Sequence, residues 1–271
     1  MKYKSADIDD LYLSVSKLTT HEYDKNNKIN PKPLFRATGF FYKGTDKAYL
    51  ITNRHVVIDE EKMYFPNTIR LYLHTNADDL TESEEFDMKL YDGTKKRWLE
   101  PNVPDYDVIA LPFDSEFAPN AHLTCFAEDH LFPDEYKFSM GHQVMIIGYP
   151  LGYWYDQKHN LPILRSGMIS SAYSIPYNGN PYFLVDSRLH KGTSGAPVMT
   201  AGRTRAYKIS ENVTKSKEKW GPTEEEIKLR EVRNRRYLLG INARTFPFPE
   251  EEESLDLNAV YFSYVLRTIA R

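Results

Sequence analysis

The sequence predicts an all-β fold, a barrel or a sandwich, with one charged and partly helical insertion. Short apolar or alternating runs recur between turn residues from Phe35 onward, and no internal repeat of fixed period is present. The 20 Tyr and 14 Phe also favour strands. With 271 residues, the chain is long enough to bury a sizeable core, as one large β domain or as two smaller ones.

Each predicted strand is a short run of apolar or alternating residues bounded by turn formers. The loops between the runs vary in length, which is typical of barrels and sandwiches. The predicted strands are Thr38–Tyr42, Ala48–Thr52, Thr68–His74, Asp87–Tyr91, Val108–Leu111, Gln143–Gly148, Gly167–Ser171, Tyr182–Asp186, Ala196–Met199, Tyr237–Asn242 and Val260–Tyr264.

Residues 1–34 are predicted to form an N-terminal segment that packs on the strands. Apolar residues between Ile8 and Leu18 have helical spacing, although residues 12–15 fit a strand equally well. Residues 20–33 are polar and contain proline, which indicates a loop.

Residues 203–236 interrupt the series of strands. They contain 11 Lys and Arg against six Glu, so this segment is basic in an acidic chain. Thr223 and Glu226 have the spacing of a capping box that would begin a helix. The segment is interpreted as a solvated helical insertion or, alternatively, as a docking surface for a partner or an acidic ligand. Its few aromatic residues argue against nucleic acid.

Composition argues against several partners and sites. A net charge of −3 gives no bias towards nucleic acid or anionic membranes, so we expect direct binding to neither. Cys125 is the one cysteine, which rules out an internal disulfide and favours the reducing cytosol; we expect it to be a buried small residue. The sequence shows no apolar leader, no membrane-length apolar run, no metal-ligand spacing and no phosphate-binding loop. It predicts a cytoplasmic protein without a cofactor or metal.

The segment from His190 to Val198 carries the clearest functional signal. Ser194 lies in a Gly-x-Ser-Gly motif directly before an apolar strand. A serine hydroxyl is a poor nucleophile without a base and an oxyanion site beside it. The backbone amides of Gly192 and Ser194 are candidates for that oxyanion site. The motif also occurs in ordinary loops, so the base has to be sought elsewhere in the chain.

His55 and Asp107 are the candidate base and the candidate orienter of that base. His55 follows the predicted strand Ala48–Thr52, and a neutral imidazole held at a strand end can accept a proton near pH 7. Asp107 precedes an apolar run, where a partly buried carboxylate could fix the imidazole tautomer. Asp105 lies two residues further out and is the alternative orienter. Each residue alone also fits a structural role.

In the segments around His55, Asp107 and Ser194, the chain resembles the trypsin-like (chymotrypsin-fold) serine peptidases. It is most similar to their disulfide-free bacterial branch, which includes the Deg-type proteases. The resemblance spans residues 35–269. The matching blocks are Ala37–Phe41, Leu50–Val57, Trp98, Asp105–Leu111, Ile147–Gly152, Ser166–Ser170, Gly192–Val198 and Leu239–Asn242.

The resemblance implies two packed six-stranded antiparallel β-barrels. Residues 35–135 would form the first, with His55 and Asp107, and residues 136–271 the second, with Ser194 and the charged insertion. By the same resemblance His55 is the general base, Asp107 its orienter and Ser194 the nucleophile. The amides of Gly192 and Ser194 are then the oxyanion hole.

The resemblance also raises questions of regulation and specificity. Many relatives carry an aspartate before the serine, which pairs with a newly cut N-terminus. Thr193 stands there in this chain, so activity would be constitutive or gated by loop ordering. Arg188 falls at the base of the family's specificity pocket, where it would favour an acidic side chain, close the pocket, pair with Asp186 or point to solvent. Ala243 and Arg244 are expected to pair with an extended substrate.

The sequence therefore predicts a serine endopeptidase that acts on a protein or peptide through an acyl-enzyme. Two alternatives stay open. One is a protease-fold binding or scaffold protein with a latent or repurposed cleft. The other is an esterase or acyltransferase, since the same site activates any acyl carbon. Because a free cytosolic protease is hazardous to its host, we also expect control by a regulatory protein partner, acting through residues 203–236.

Overall fold

Two β-sheets, one from each half of the chain, form the framework of the computed structural model. The strands are joined by loops, turns and very short helices. The structure describes residues 2–23, 26, 28–103, 105–114, 116–138, 141–202, 206–208, 231–232, 235–246 and 255–270.

The bounds of the elements are as follows. In chain order the strands are β1 Val15–His21, β2 Phe35–Lys43, β3 Ala48–Thr52, β4 Thr68–His74, β5 Ser83–Lys89, β6 Tyr91–Asp92, β7 Lys95–Lys96, β8 Ile109–Phe113, β9 Tyr136–Phe138, β10 Gln143–Gly148, β11 Ile163–Ile169, β12 Tyr182–Asp186, β13 Pro197–Thr200, β14 Ala206–Lys208, β15 Leu238–Phe246 and β16 Leu257–Phe262. The short helices are α1 Arg54–Val57 and α2 Leu266–Ile269, with 3₁₀ turns at Ser5–Asp7, Asp10–Leu13, Glu128–His130, Pro150–Gly152, Tyr177–Gly179 and Ser263–Val265.

The first sheet is antiparallel and curled, with six strands in the order β5-β4-β1-β2-β3-β8. In the described residues its two edge strands, β5 and β8, are not paired with each other, so the sheet is a curled half-barrel, which is consistent with the predicted double-barrel fold. Its concave face is filled by one side chain or more from most strands. These include Leu18, Phe41, Leu50, Leu71 and Ile109.

The second sheet is a closed six-stranded barrel, in the order β10-β11-β12-β16-β15-β13. All of its pairings are antiparallel. Val144, Phe183, Val198, Leu239 and Val260 are buried inside it. The predicted all-β class with two six-stranded units is thereby confirmed.

A third apolar cluster joins the two sheets. Phe40 and Ile51 of the first sheet are buried in it together with Ile147, Leu238 and Tyr261 of the second. Each of these residues is next in sequence to a residue of one of the two inner cores. Successive side chains of a strand point to opposite faces, so one faces the inner core and the other faces the second sheet. Both faces of β2, β3, β15 and β16 are therefore buried, one in a sheet's own core and one against the other sheet.

The N-terminal boundary predicted at residue 34 differs from the structure. β1 lies between β2 and β4 and pairs with both, so it belongs to the first sheet and is a strand, not a helix. All seven of its residues are buried, although most are polar. Ser16 Oγ donates a hydrogen bond to the Tyr72 carbonyl oxygen, and Lys17 Nζ donates one to Tyr155 Oη. Because these partners are distant in sequence, β1 shows no apolar alternation.

The charged insertion at 203–236 is described only in part. β14 pairs antiparallel with β9, which adds a small ribbon to the second half. Near its end, Arg236 Nη1 donates to Asp9 Oδ2 at 2.5 Å, and Arg235 pairs with Asp129. The predicted helix start at Thr223 and Glu226 lies outside the described residues.

No helix in the part of the chain that the structure describes has the length and apolar character needed to span a bilayer.

The closed barrel depends on one aromatic side chain. Phe183 is fully buried, and its ring lies 4.9 Å from the Tyr173 ring and 5.3 Å from that of Phe262, between centroids. Phe183→Ala should lower the free energy of unfolding by about 3–5 kcal/mol, because it removes buried area and leaves a cavity. Urea denaturation measures this. Ile175→Ala is the control, since Ile175 is exposed and its loss should change stability by no more than about 0.5 kcal/mol.

Candidate active site

His55 is held by Asp107 at two points. His55 lies in α1, directly after β3, and its Nδ1 is 2.6 Å from Asp107 Oδ2. The backbone N–H of His55 donates to the other carboxylate oxygen, Oδ1, at 2.8 Å. With Nδ1 as the donor, Nε2 is left as the acceptor. This is the geometry that a general base requires.

Asp107, and not Asp105, makes this contact. Asn53 Nδ2 donates to the Asp107 carbonyl oxygen at 2.7 Å, which fixes the backbone before β8. Asp105 has a left-handed backbone, with φ 74°, and no described hydrogen bond to His55. Tyr261 lies near the Asp107 carboxylate. Burial, together with the negative charge of Asp107, raises the pKa of the Tyr261 hydroxyl to about 12. The Phe35 ring meets the His55 ring edge-on, with centroids 5.7 Å apart.

Ser194 is turned towards β15 in this structure. Its Oγ donates to the Ala243 carbonyl oxygen at 3.1 Å, and no hydrogen bond to His55 occurs among the described residues. A serine hydroxyl changes partner by rotation about its χ1 bond, and catalytic hydrogen bonds are often long before substrate binds. The structure thus brings Ser194 to Ala243, and His55 to Asp107, without a hydrogen bond between the two pairs.

The loop before Ser194 leaves two amides available. The N–H groups of Gly192 and Ser194 have no described acceptor. The Lys191 carbonyl, which adjoins the first of these amides, accepts from Leu151 N at 2.5 Å. Gly192 has φ 95°, and a Cβ there would lie 2.6 Å from Tyr149 O. Only glycine fits there, so the backbone of the loop depends on the missing side chain of Gly192.

Thr193 is satisfied inside the same loop. It is buried, and its hydroxyl donates to the His190 carbonyl oxygen at 2.7 Å. Asn242 Nδ2 donates to the Thr193 carbonyl at 2.9 Å, while Gly195 N donates to the Asn242 carbonyl at 2.8 Å. The residue before Ser194 is therefore held by neutral hydrogen bonds and carries no charge into the loop.

The three candidate specificity residues lie in two places. Ala243 is buried on β15 next to Ser194, and Arg244 follows it on the same strand with its side chain exposed. Arg188 instead lines a separate cavity beside the turn at Pro150–Gly152, and neither Ala243 nor Arg244 lines that cavity. In the described part of the chain Arg188 forms no ion pair with Asp186, which was one of the expected alternatives.

Cys125 has the surroundings of an unreactive cysteine. Cys125 is half-buried, and burial raises the pKa of its thiol, which disfavours the reactive thiolate. Among the residues that the structure describes, no group of three His, Cys, Asp or Glu side chains is placed to hold a metal ion.

Comparison with known proteins identifies the family. Residues 37–204 match the model of the trypsin-like peptidase domain. The chain belongs to this family. The resemblance inferred from the sequence blocks is thereby confirmed.

Two solved structures are similar to the chain. The serine endoprotease from Yersinia pestis is 15% identical, over 94% of this chain and 60% of that one, with a TM-score of 0.50. The peptidase domain therefore spans less than two thirds of that relative's length. An inactive serine-to-alanine mutant of Rv3671c from M. tuberculosis H37Rv is 15% identical over 94% of this chain and 83% of that one, with a TM-score of 0.46. No curated protein matches the chain.

Thr38 contacts the loop before Ser194, and the sequence analysis assigned it no role. Its N–H donates to the Ser194 carbonyl at 2.9 Å, and its hydroxyl donates to the Gly192 carbonyl at 2.8 Å. The same hydroxyl accepts from Tyr149 N at 3.0 Å, and the Thr38 carbonyl accepts from Thr52 Oγ1 at 2.9 Å. Thr38 lies in the block Ala37–Phe41, whose resemblance was noted, but a sequence gives no sign of such long-range partners.

Thr38→Val tests whether this hydroxyl positions the loop of the peptidase domain. The variant leaves two buried backbone groups without a partner, at about 1–3 kcal/mol each. The rate at which Ser194 reacts with a fluorophosphonate should fall by about ten- to a hundredfold.

Thr38→Ser is the matched control, since it keeps the hydroxyl and should restore most of the rate. Circular dichroism should show both variants folded. Equal rates for wild type and the valine variant would rule out a positioning role.

Proposed function

We propose that the protein is a serine endopeptidase that cleaves peptide bonds through Ser194, His55 and Asp107. The observation that carries this proposal is the two-point hold of Asp107 on His55. It leaves Nε2 as the proton acceptor, while the N–H groups of Gly192 and Ser194 have no described acceptor. Membership of the trypsin-like peptidase domain family supports the same reaction.

In the proposed reaction, an extended substrate first adds to β15 as a further strand. A substrate N–H then donates to the Ala243 carbonyl, which now accepts from Ser194 Oγ. The displaced serine hydroxyl turns to His55 Nε2. Binding of the substrate backbone and release of the nucleophile are in this way one event.

The chemical steps follow from the geometry. Ser194 Oγ attacks the carbonyl carbon while its proton moves to His55 Nε2, and the amides of Gly192 and Ser194 stabilise the oxyanion. The C–N bond breaks as Nε2 returns the proton to the leaving amine. Water then attacks the ester carbonyl while His55 Nε2 takes its proton; the acyl C–O bond breaks as Nε2 returns that proton to Ser194 Oγ, which releases the acid product and restores the serine hydroxyl.

We further propose that the enzyme works in the cytosol under the control of a protein partner. Cys125 is the one cysteine of the chain, as expected for a reducing compartment. The segment 203–236 is basic in sequence, which suits an acidic region of that partner. Its last residues are anchored by ion pairs of Arg235 and Arg236 to Asp129 and Asp9, so contacts made within it would be transmitted to the folded domain.

A fluorophosphonate probe tests the proposed chemistry. The wild-type protein should be labelled at Ser194, and Ser194→Ala should not be labelled at all. Asp107→Asn should slow labelling by about three to four orders of magnitude, because it leaves the imidazole in the wrong tautomer. Mass spectrometry locates the label.

Two other results would change the function. An absence of labelling, even in cytosolic extract, would favour the binding or scaffold alternative. Labelling without cleavage of any member of a broad peptide library would favour an esterase or acyltransferase.

Replacing residues 209–230 with a short Gly-Ser linker tests control through the insertion. The replacement keeps β14 and the anchoring arginines. We expect the labelling rate of the wild type to differ at least about threefold between purified protein and cytosolic extract of the source organism. For the replacement variant the two rates should agree, since the partner surface is gone. An unchanged extract effect in the variant would place control elsewhere.

A further inference from the structure

A cavity of about 380 Å³ lies against the loop that precedes Ser194. Its walls are mainly apolar, with Leu151, Trp154 and Ile163 among the lining side chains, and Arg165 and Arg188 add two positive charges. Neither Ser194 nor His55 lines it. The volume is within the range of sites that bind small molecules or single side chains.

The two arginines have no carboxylate partner in the described part of the chain. Arg165 Nη2 donates to the Arg188 carbonyl oxygen at 2.8 Å, which fixes the first guanidinium at the cavity wall. The Arg188 guanidinium has no described hydrogen bond. Arg165 is half-buried and Arg188 is exposed, so both guanidiniums are accessible to an anion, with which they can form charge-assisted hydrogen bonds.

The cavity walls contact the loop from His190 to Ser194, here called the oxyanion loop. Leu151 and Thr193 both line it. The N–H of Leu151 holds the Lys191 carbonyl, and the hydroxyl of Thr193 holds that of His190. Leu151 also has φ 56°, a left-handed backbone that a leucine adopts only where its surroundings hold it. A ligand that contacts Leu151 and Thr193 would therefore favour the loop arrangement seen here.

We propose that this cavity is an effector site for an apolar carboxylate, and that its occupancy stabilises the competent oxyanion loop. The carboxylate lies between Arg165 and Arg188, and the apolar part lies against Leu151 and Trp154. Both a free carboxylic acid and the C-terminal residue of a peptide offer this chemistry. The effect on rate rests on the proposed function, whereas ligand binding does not.

Binding is measured on Ser194→Ala, so that no reaction intervenes. Isothermal titration calorimetry is run with 3-phenylpropionate, with the peptide Gly-Gly-Gly-Gly-Phe, and with the same peptide amidated at its C-terminus. At least one free acid should bind, and the amide should bind at least about tenfold more weakly, because it lacks the charge. Whichever acid binds more tightly identifies the source as a free acid or a peptide terminus.

Arginine variants locate the binding. Arg165→Gln and Arg188→Gln should each weaken the free acid by about tenfold. Arg97→Gln makes the same charge change on an exposed side chain away from this cavity and should leave the dissociation constant unchanged. The site would be ruled out if neither acid bound, if the amide bound as well as the acid, or if the arginine variants had no effect.

Kinetics on the wild type separate an effector site from a substrate pocket. The bound acid should raise the fluorophosphonate labelling rate several-fold and leave the KM of a peptide substrate unchanged. Substrates with Leu or Glu before the scissile bond are compared. A competitive rise in KM together with a preference for Glu would place Arg188 in the substrate pocket and overturn the proposal. If the acid binds as described but the wild type is never labelled, the proposed function fails and the binding site stands.

Discussion

The structure depends on one threonine, which joins its two sheets beside the loop that carries Ser194. The hydroxyl of Thr38 lies between the Gly192 carbonyl and the Tyr149 amide, and its own amide holds the Ser194 carbonyl. The first sheet carries His55, and the second carries Ser194. A shift of one sheet past the other would break hydrogen bonds in a fully buried place, where lost partners are costly. The relative position of base and serine is thereby fixed through Thr38.

The fold was predictable where burial leaves a continuous apolar signal. β3, β4, β10 and β12 have the predicted bounds, since each is a run of buried residues between turns. β5 was predicted too late in the chain because its first residues are acidic and exposed on an edge strand. β1 was ambiguous for the opposite reason, since it is wholly buried yet mostly polar. Periodicity reports exposure on one face and fails where both faces are buried or solvated.

The candidate site was predictable as a set of residues but not as an arrangement. His55, Asp107 and Ser194 follow from residue type, order and strand ends, and the contact of Asp107 with His55 has the expected form. The orientation of Ser194 towards Ala243 does not follow from sequence, because a hydroxyl chooses its partner by local geometry. Arg188 shows the same limit. Its position in the motif indicated a substrate pocket, whereas its side chain lines a cavity beside Leu151.

The positions of Thr193 and Arg188 both bear on the charge around the oxyanion loop. The resemblance sets Thr193 where many relatives carry an aspartate that awaits a positive N-terminus. In this chain Thr193 itself is neutral, and Arg165 and Arg188 are among the nearby cations that have no carboxylate partner in the described residues. A group that complements this site must be negative. The hydrogen bond from Leu151 to Lys191 couples the cavity wall to the Gly192 amide. An anion at the proposed site would therefore act on the same loop as the N-terminus of those relatives, but with a negative charge instead of a positive one.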